Sequence, residues 1–141
     1  MSDTGKTILI VDDSDMEFDL ICWGLRQNGF DTPTRRAETA EAALEILGIV
    51  PGTPDAPAGH DRPMLILLDI GMPGLGGLGF LETLKQMPEP LNIPVVVMSS
   101  SSNPADVAMS YQLGAAAYVQ KPATMQDYIS KMRDVMAFCF E

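Results

Sequence analysis

Cysteine is scarce in this sequence. Cys22 and Cys139 are the only two, and neither belongs to a CxxC or a cysteine–histidine cluster. That argues against a zinc or disulfide framework. Both lie in helical stretches among apolar neighbours and read as reduced, buried thiols. Basic residues are few as well, 9 against 19 acids, for a formal net charge of −10. A nucleic-acid binder needs a basic face to neutralise phosphates, so that partner class is not expected. Long apolar runs are missing too. The run that precedes Asp12 and Asp13 is too short for a membrane span and carries no signal-peptide cleavage region. A cytoplasmic protein with no membrane partner is the resulting expectation. There is no internal repeat, low-complexity segment or second domain, so residues 1–141 are expected to form one domain.

What is present is a 46% hydrophobic chain, enough for one sizeable core. Short apolar runs alternate with helical patterns. Thr7 to Val11 (TILIV) reads as a buried strand, followed by a helix from Ser14 to Asn28 that Gly29 stops. Phe30 to Thr34 reads as a second strand, demoted to a sheet edge by Pro33, which cannot donate to a ladder. A helix over Glu38 to Leu47 precedes a proline-rich surface loop, Val50 to Pro63. Met64 to Leu68 (MLILL) reads as the central strand, and Asp69 to Gly79 as a glycine-rich loop opening into a helix that runs to Met87. Ile93 to Met98 is another buried strand. Asn103 and Pro104 start the next helix, which ends near Gly114. Ala116 to Val119 is a short strand, and Thr124 with Asp127 caps the last helix. Five βα repeats predict an α/β fold, a doubly wound parallel sheet with helices on both faces.

Polar residues collect where these strands end. Asp12 and Asp13 end the first, Asp69 the third, Ser99 and Ser100 the fourth, Lys121 the fifth. Open parallel sheets bind ligands at the carboxyl ends of their strands, so three acids from two strands can share one pocket. Clustered carboxylates repel unless a cation joins them, and an oxygen-only donor set suits Mg²⁺. A carboxylate can accept a phosphoryl group as an aspartyl phosphate. Ser99 then offers a hydroxyl, and Lys121 a positive charge, to phosphoryl oxygens. Each residue taken alone has a plainer reading, and Asp12 and Asp13 could simply cap the first helix. The ordered set is what carries the signal.

The segments ILIVDDS (8–14), LILLDIGMPG (65–74), IPVVVMSS (93–100) and LGAAAYVQKPA (113–123) resemble the receiver domains of two-component response regulators. The resemblance implies a flavodoxin-like (βα)5 fold with strand order 2-1-3-4-5. It implies that Asp12 and Asp13 organise Mg²⁺, that Asp69 is the phosphoacceptor, and that the backbone carbonyl of Gly71 completes the metal ligands. It makes Ser99 the switch hydroxyl, Lys121 the phosphate-binding lysine followed by a cis bond to Pro122, and Tyr118 the switch aromatic. For Tyr118 a half-buried edge-strand tyrosine is an equal alternative. Gly76 stands where the family usually has an acid in the loop after the acceptor. The serine run at 99–102, the phrase SYQLGA (110–115) and the long loop before the third strand are similar to the stand-alone regulators partnered with phytochrome-type histidine kinases.

Three functions follow from different classes. The first is a single-domain response regulator, phosphorylated on Asp69 by a sensor histidine kinase in an Mg²⁺-dependent phosphorelay; it is not an enzyme beyond assisting its own phosphorylation and dephosphorylation. The second is a phosphatase or phosphotransferase of related fold, which places a second acid two residues after its nucleophile; Gly71 stands there. The third is a receiver-like module that no longer takes phosphate, which loss of Asp69 or Lys121 would mark. With no effector domain expected, output passes through protein contacts. The terminal Phe138-Cys139-Phe140 exceeds what one core face needs and suggests a homodimer surface, which in the family is built from the fourth helix, fifth strand and fifth helix.

Overall fold

The computed structural model describes residues 7–49, 63–72, 74, 76–87 and 92–140. Residues 50–62 of the expected Val50 to Pro63 loop, His60 among them, and Pro73 and Leu75 of the glycine-rich segment lie outside the described residues. Strands β1 (Ile8–Val11), β2 (Thr34–Ala37), β3 (Leu65–Leu68), β4 (Val95–Ser99) and β5 (Ala117–Gln120) alternate with helices α1 (Asp15–Gln27), α2 (Ala40–Leu47), α3 (Gly76–Lys85), α4 (Pro104–Gln112) and α5 (Met125–Phe140). The sheet is parallel throughout, in the order β2-β1-β3-β4-β5 that the resemblance implied.

All residues of β1, β3 and β4 are buried. Helices cover both faces of these strands, so each strand reads as a continuous apolar run rather than an alternating one. Alternate side chains feed two cores. Leu9, Val11, Ile66, Leu68, Val95 and Val97 face α2 and α3. Ile8, Ile10, Leu65, Leu67, Val96 and Met98 face α1 and α5. The second core closes tightly at Gly24, where an added Cβ would stand 2.8 Å from the Tyr128 carbonyl oxygen. Helix α1 can lie this close to α5 because that position carries no side chain.

Several boundaries differ from expectation. The second strand is Thr34–Ala37, not Phe30 to Thr34. Its partner register begins at Ile8 with Thr34, so Pro33 precedes the strand and offers only its carbonyl, to the Ile8 N–H at 2.9 Å. Being an edge, β2 carries Arg35 and Arg36 and shows no apolar run. Gly76 to Gly79 form the first turn of α3 rather than a loop. On α5, Met125 is exposed, as are Phe138 and Phe140, whereas Met132, Val135 and Met136 are buried. The bond before Pro122 is trans, there being no cis peptide among the described residues; trans is the lower-energy isomer by about 0.5–1 kcal/mol. Helix caps agree with their sequence signals: the N–H groups of Glu17, Ala105 and Asp127 donate to Ser14, Asn103 and Thr124 side chains.

Candidate functional site

The site is assembled by the ladder itself. Backbone hydrogen bonds carry pairing one step past the strand ends: Asp12 N–H donates to the Ala37 carbonyl at 3.0 Å and Asp69 N–H to the Val11 carbonyl at 2.9 Å. Lys121 N–H donates to the Ser99 carbonyl at 2.8 Å. These contacts bring the C-terminal ends of β1, β3, β4 and β5 to one edge of the sheet.

Asp12, Asp13 and Asp69 converge there, each offering a carboxylate oxygen within 4.8 Å of the others. Asp12 and Asp69 are buried and Asp13 is exposed, so the cluster has a floor and an open side. Each buried acid is oriented by a backbone N–H two residues on. Ser14 donates to Asp12 Oδ1 at 2.9 Å, and Gly71 to Asp69 Oδ1 at 2.9 Å. Gly71 thus meets the acceptor candidate through its N–H. The ammonium of Lys121 lies between the two, 3.3 Å from Asp12 Oδ2 and 3.5 Å from Asp69 Oδ2. Ser99 is buried at the end of β4, one residue beyond the level of Asp69 in the β3–β4 register. Its hydroxyl accepts the Ser101 N–H at 3.1 Å. Tyr118 does not reach the acids. It is half-buried on β5, and its hydroxyl donates to the Ser101 carbonyl at 2.8 Å.

Two neighbours were not singled out from the sequence. Glu17, on the first turn of α1, places Oε1 4.0 Å from Lys121 Nζ. Its carboxylate accepts the Tyr128 hydroxyl, at 2.7 Å to Oε2 and 2.8 Å to Oε1. The signal that could have found it is the Ser14-x-x-Glu17 spacing of a capping box. Here the box is half made: Ser14 accepts the Glu17 N–H at 3.2 Å, but its own N–H goes to Asp12. The Glu17 side chain is left free to turn inward. Arg36 of β2 is the other. Its Nε–H donates to the Asp12 carbonyl at 3.2 Å and its Nη1–H to Asp15 Oδ1 at 2.6 Å, with the guanidinium 5.5 Å over the Phe18 ring.

Burial raises the Asp12 carboxyl above its ordinary value, partly offset by the Ser14 N–H and by Lys121. Glu17 is raised likewise by burial, against the Tyr128 hydrogen bond and Lys121. Burial opposes the charge of Lys121, but Asp12, Asp69 and Glu17 together raise it above the ordinary lysine value. Three carboxylates surround one ammonium and Asp13 adjoins two of them, a formal excess of three negative charges. An oxygen-only donor set with that excess fits a hard divalent cation. Asp12, Asp13 and Asp69 are the side chains that could hold it.

Residues 8–133 match the family model described as response regulator receiver domain. The response regulator Rcp1 of Synechocystis sp. is 32% identical over 143 aligned residues, covering 99% of this chain and 92% of Rcp1. A probable cyclic di-GMP phosphodiesterase of Vibrio cholerae is 35% identical over 119 residues, which cover 84% of this chain but 24% of that longer protein. Among solved structures, a phosphorylated cyanobacterial phytochrome response regulator, RcpA, aligns with a TM-score of 0.82 and 28% identity, over 96% of this chain and 94% of that one. The Mn²⁺-bound form of Rcp1 aligns with a TM-score of 0.79 and 31% identity, over 96% and 95%.

Proposed function

The chain belongs to the response-regulator receiver family of two-component signalling, and from that premise we propose that it is a phosphorylation switch whose acceptor is Asp69. The observation that carries this reading is the junction of three carboxylates with Lys121, which stands 3.5 Å from Asp69 and 3.3 Å from Asp12. A carboxylate oxygen of Asp69 attacks phosphorus. A new O–P bond forms, the bond to the donor breaks, and its electron pair leaves with the donor group. Asp69 is held for this by the Gly71 N–H on one oxygen and by the lysine ammonium beside the other. Lys121 is placed to neutralise charge on a phosphoryl oxygen, and the Ser99 hydroxyl to donate to another once it turns from the Ser101 N–H.

Asp12, Asp13 and Asp69 would hold Mg²⁺, with the Gly71 carbonyl as a further ligand; the ion would supply charge neutralisation between carboxylate and phosphoryl oxygens. Support for a divalent ion comes from the donor set and from the Mn²⁺-bound state of the Rcp1 structure. The donor is a phosphohistidine of a sensor histidine kinase. The likeness to a phytochrome response regulator favours a phytochrome-type kinase. The protein acts in the cytoplasm, and its output is a contact with a protein partner. A homodimer through α4, β5 and α5 is supported by exposed Met109 and Tyr111 on α4 and Phe138 and Phe140 on α5. Tyr118, bonded to the loop after Ser99, is placed to couple the site to that face.

Phosphate-affinity gels on protein treated with acetyl phosphate test the acceptor. Label appears in wild type only with Mg²⁺ and is absent from Asp69→Asn. Equal labelling of the two proteins would refute the assignment.

A further inference from the structure

Glu17 is a buried carboxylate that the proposed reaction does not use. It arrives from α1, and the side chain that holds it, Tyr128, arrives from the first turn of α5. A tyrosine hydroxyl has one proton to donate. Here it faces both oxygens of Glu17, at 2.7 and 2.8 Å, so one donor is wrapped by the whole carboxylate. The only cation within ion-pair reach of Glu17 among the described residues is Lys121, at 4.0 Å. That is the longest of the three pairs the lysine makes. A relaxed ammonium–carboxylate hydrogen bond closes to about 2.8 Å. Glu17 thus stands farthest of the three from the ammonium, with its carboxylate engaged by Tyr128.

The pair is not needed to fill the core. Tyr128 otherwise packs in the apolar core between α1 and α5, beside Met132 and Ile21. Well-packed apolar side chains in place of a buried polar pair are commonly as stable or more so. What the pair does have is access to the one ammonium that also faces Asp69.

We propose that Glu17 and Tyr128 are positioning residues for Lys121: the Glu17 carboxylate competes with Asp69 for the ammonium, and the Tyr128 hydroxyl limits how strongly it competes. The proposal rests on the phosphoacceptor reading above. Removing the charge in Glu17→Gln leaves Lys121 to Asp12 and Asp69, and phosphoryl transfer speeds up. Removing the hydroxyl in Tyr128→Phe lets Glu17 close on Lys121 and draw it from Asp69, and transfer slows. Because the phenol acts through the carboxylate, the double variant behaves as Glu17→Gln does.

The test is the initial rate of Asp69 labelling of the full chain by acetyl phosphate with Mg²⁺. Each single variant is expected to shift the rate about two- to fivefold, the scale of a partly exposed ion pair, with opposite signs. A loss of packing would slow both. Rates that move together, rates that do not move, or a double variant that follows Tyr128→Phe overturn the proposal while leaving Asp69 as acceptor. No label on wild-type Asp69 removes the acceptor reading, and the proposal with it. Should a variant fail to fold, wild type labelled with ¹³C at tyrosine Cζ decides. Saturation with beryllofluoride and Mg²⁺ shifts the Tyr128 resonance as Lys121 leaves Glu17. A Tyr128 signal that stays fixed while the Ser99 region responds overturns the proposal.

Discussion

Gly77 offers the sharpest mechanical test of how α3 supports the loop after Asp69. A Cβ at this position would stand 2.5 Å from both the Asp69 carbonyl oxygen and the Ile70 Cα, and 3.0 Å from the Asp69 carbonyl carbon. Non-bonded carbon contacts settle near 3.5–4.0 Å, so helix and loop must part by about 1 Å. All three obstructing atoms are backbone, and no side chain can swing away to absorb the change. Overpacking of this kind costs about 1–3 kcal/mol. At about 4 °C per kcal/mol for a domain of this size, Gly77→Ala should lower Tm by about 4–12 °C. Two of the three displaced atoms belong to Asp69 itself, and an error of ~1 Å at a reacting group can cost ~100-fold in rate. Labelling by acetyl phosphate should therefore fall by far more than the stability loss explains. Gly71→Ala serves as the comparison for Tm, since it adds no overlap with backbone. Its Cβ would meet only Asp69 Oδ1, at an ordinary 3.4 Å. Thermal unfolding and initial labelling rates of the two variants, measured side by side, decide the matter. A Gly77→Ala protein with wild-type Tm and wild-type rate would refute the packing argument.

Two further measurements follow. Mg²⁺ at about 100 times its Kd should stabilise the fold by about 2.7 kcal/mol; the gain in Tm should vanish in Asp12→Asn, and a gain that survives there would move the metal elsewhere. Burial raises the Cys139 thiol above its ordinary 9.0. A raised thiol holds less thiolate at any pH below its value, so alkylation by iodoacetamide at pH 8 should be slower than for free cysteine and should keep rising beyond pH 9; mass spectrometry of time points checks this, and a rate equal to free cysteine contradicts it.

The parts of the fold that could be read from the sequence are those where burial alone dictates residue type. β1, β3 and β4 are covered on both faces and appear as ILIV, LILL and VVVMS. The second strand was expected at a sheet edge and is there, but its bounds escaped, because an edge strand owes its place to backbone pairing and TRRA gives no apolar signal. The turn at Gly76 to Gly79 was misread for a related reason. Glycine disfavours a helix in isolation, but the approach of α3 to Asp69 needs Gly77. At the site, the three aspartates and Lys121 were visible because each ends a strand, and the parallel topology carries strand ends to one edge. Glu17 and Tyr128 were not. They come from the first turns of two helices 111 residues apart, and only the packing of α1 on α5 brings them together. In the sequence, Glu17 has the spacing of a helix cap and Tyr128 sits among core methionines.

The outer edge of β5 is not bare. Tyr111, reaching across from α4, accepts the Tyr118 N–H at 3.1 Å. The sheet thus spends one of its own phenols to occupy a ladder position that another chain would otherwise fill. A strand from a second molecule would have to displace Tyr111 from the Tyr118 N–H to pair at this position. The homodimer proposed for this side would then be made by side chains, which a rotamer change can rearrange, rather than by a backbone ladder at Tyr118. A signalling surface that has to release its partner is better served by the former.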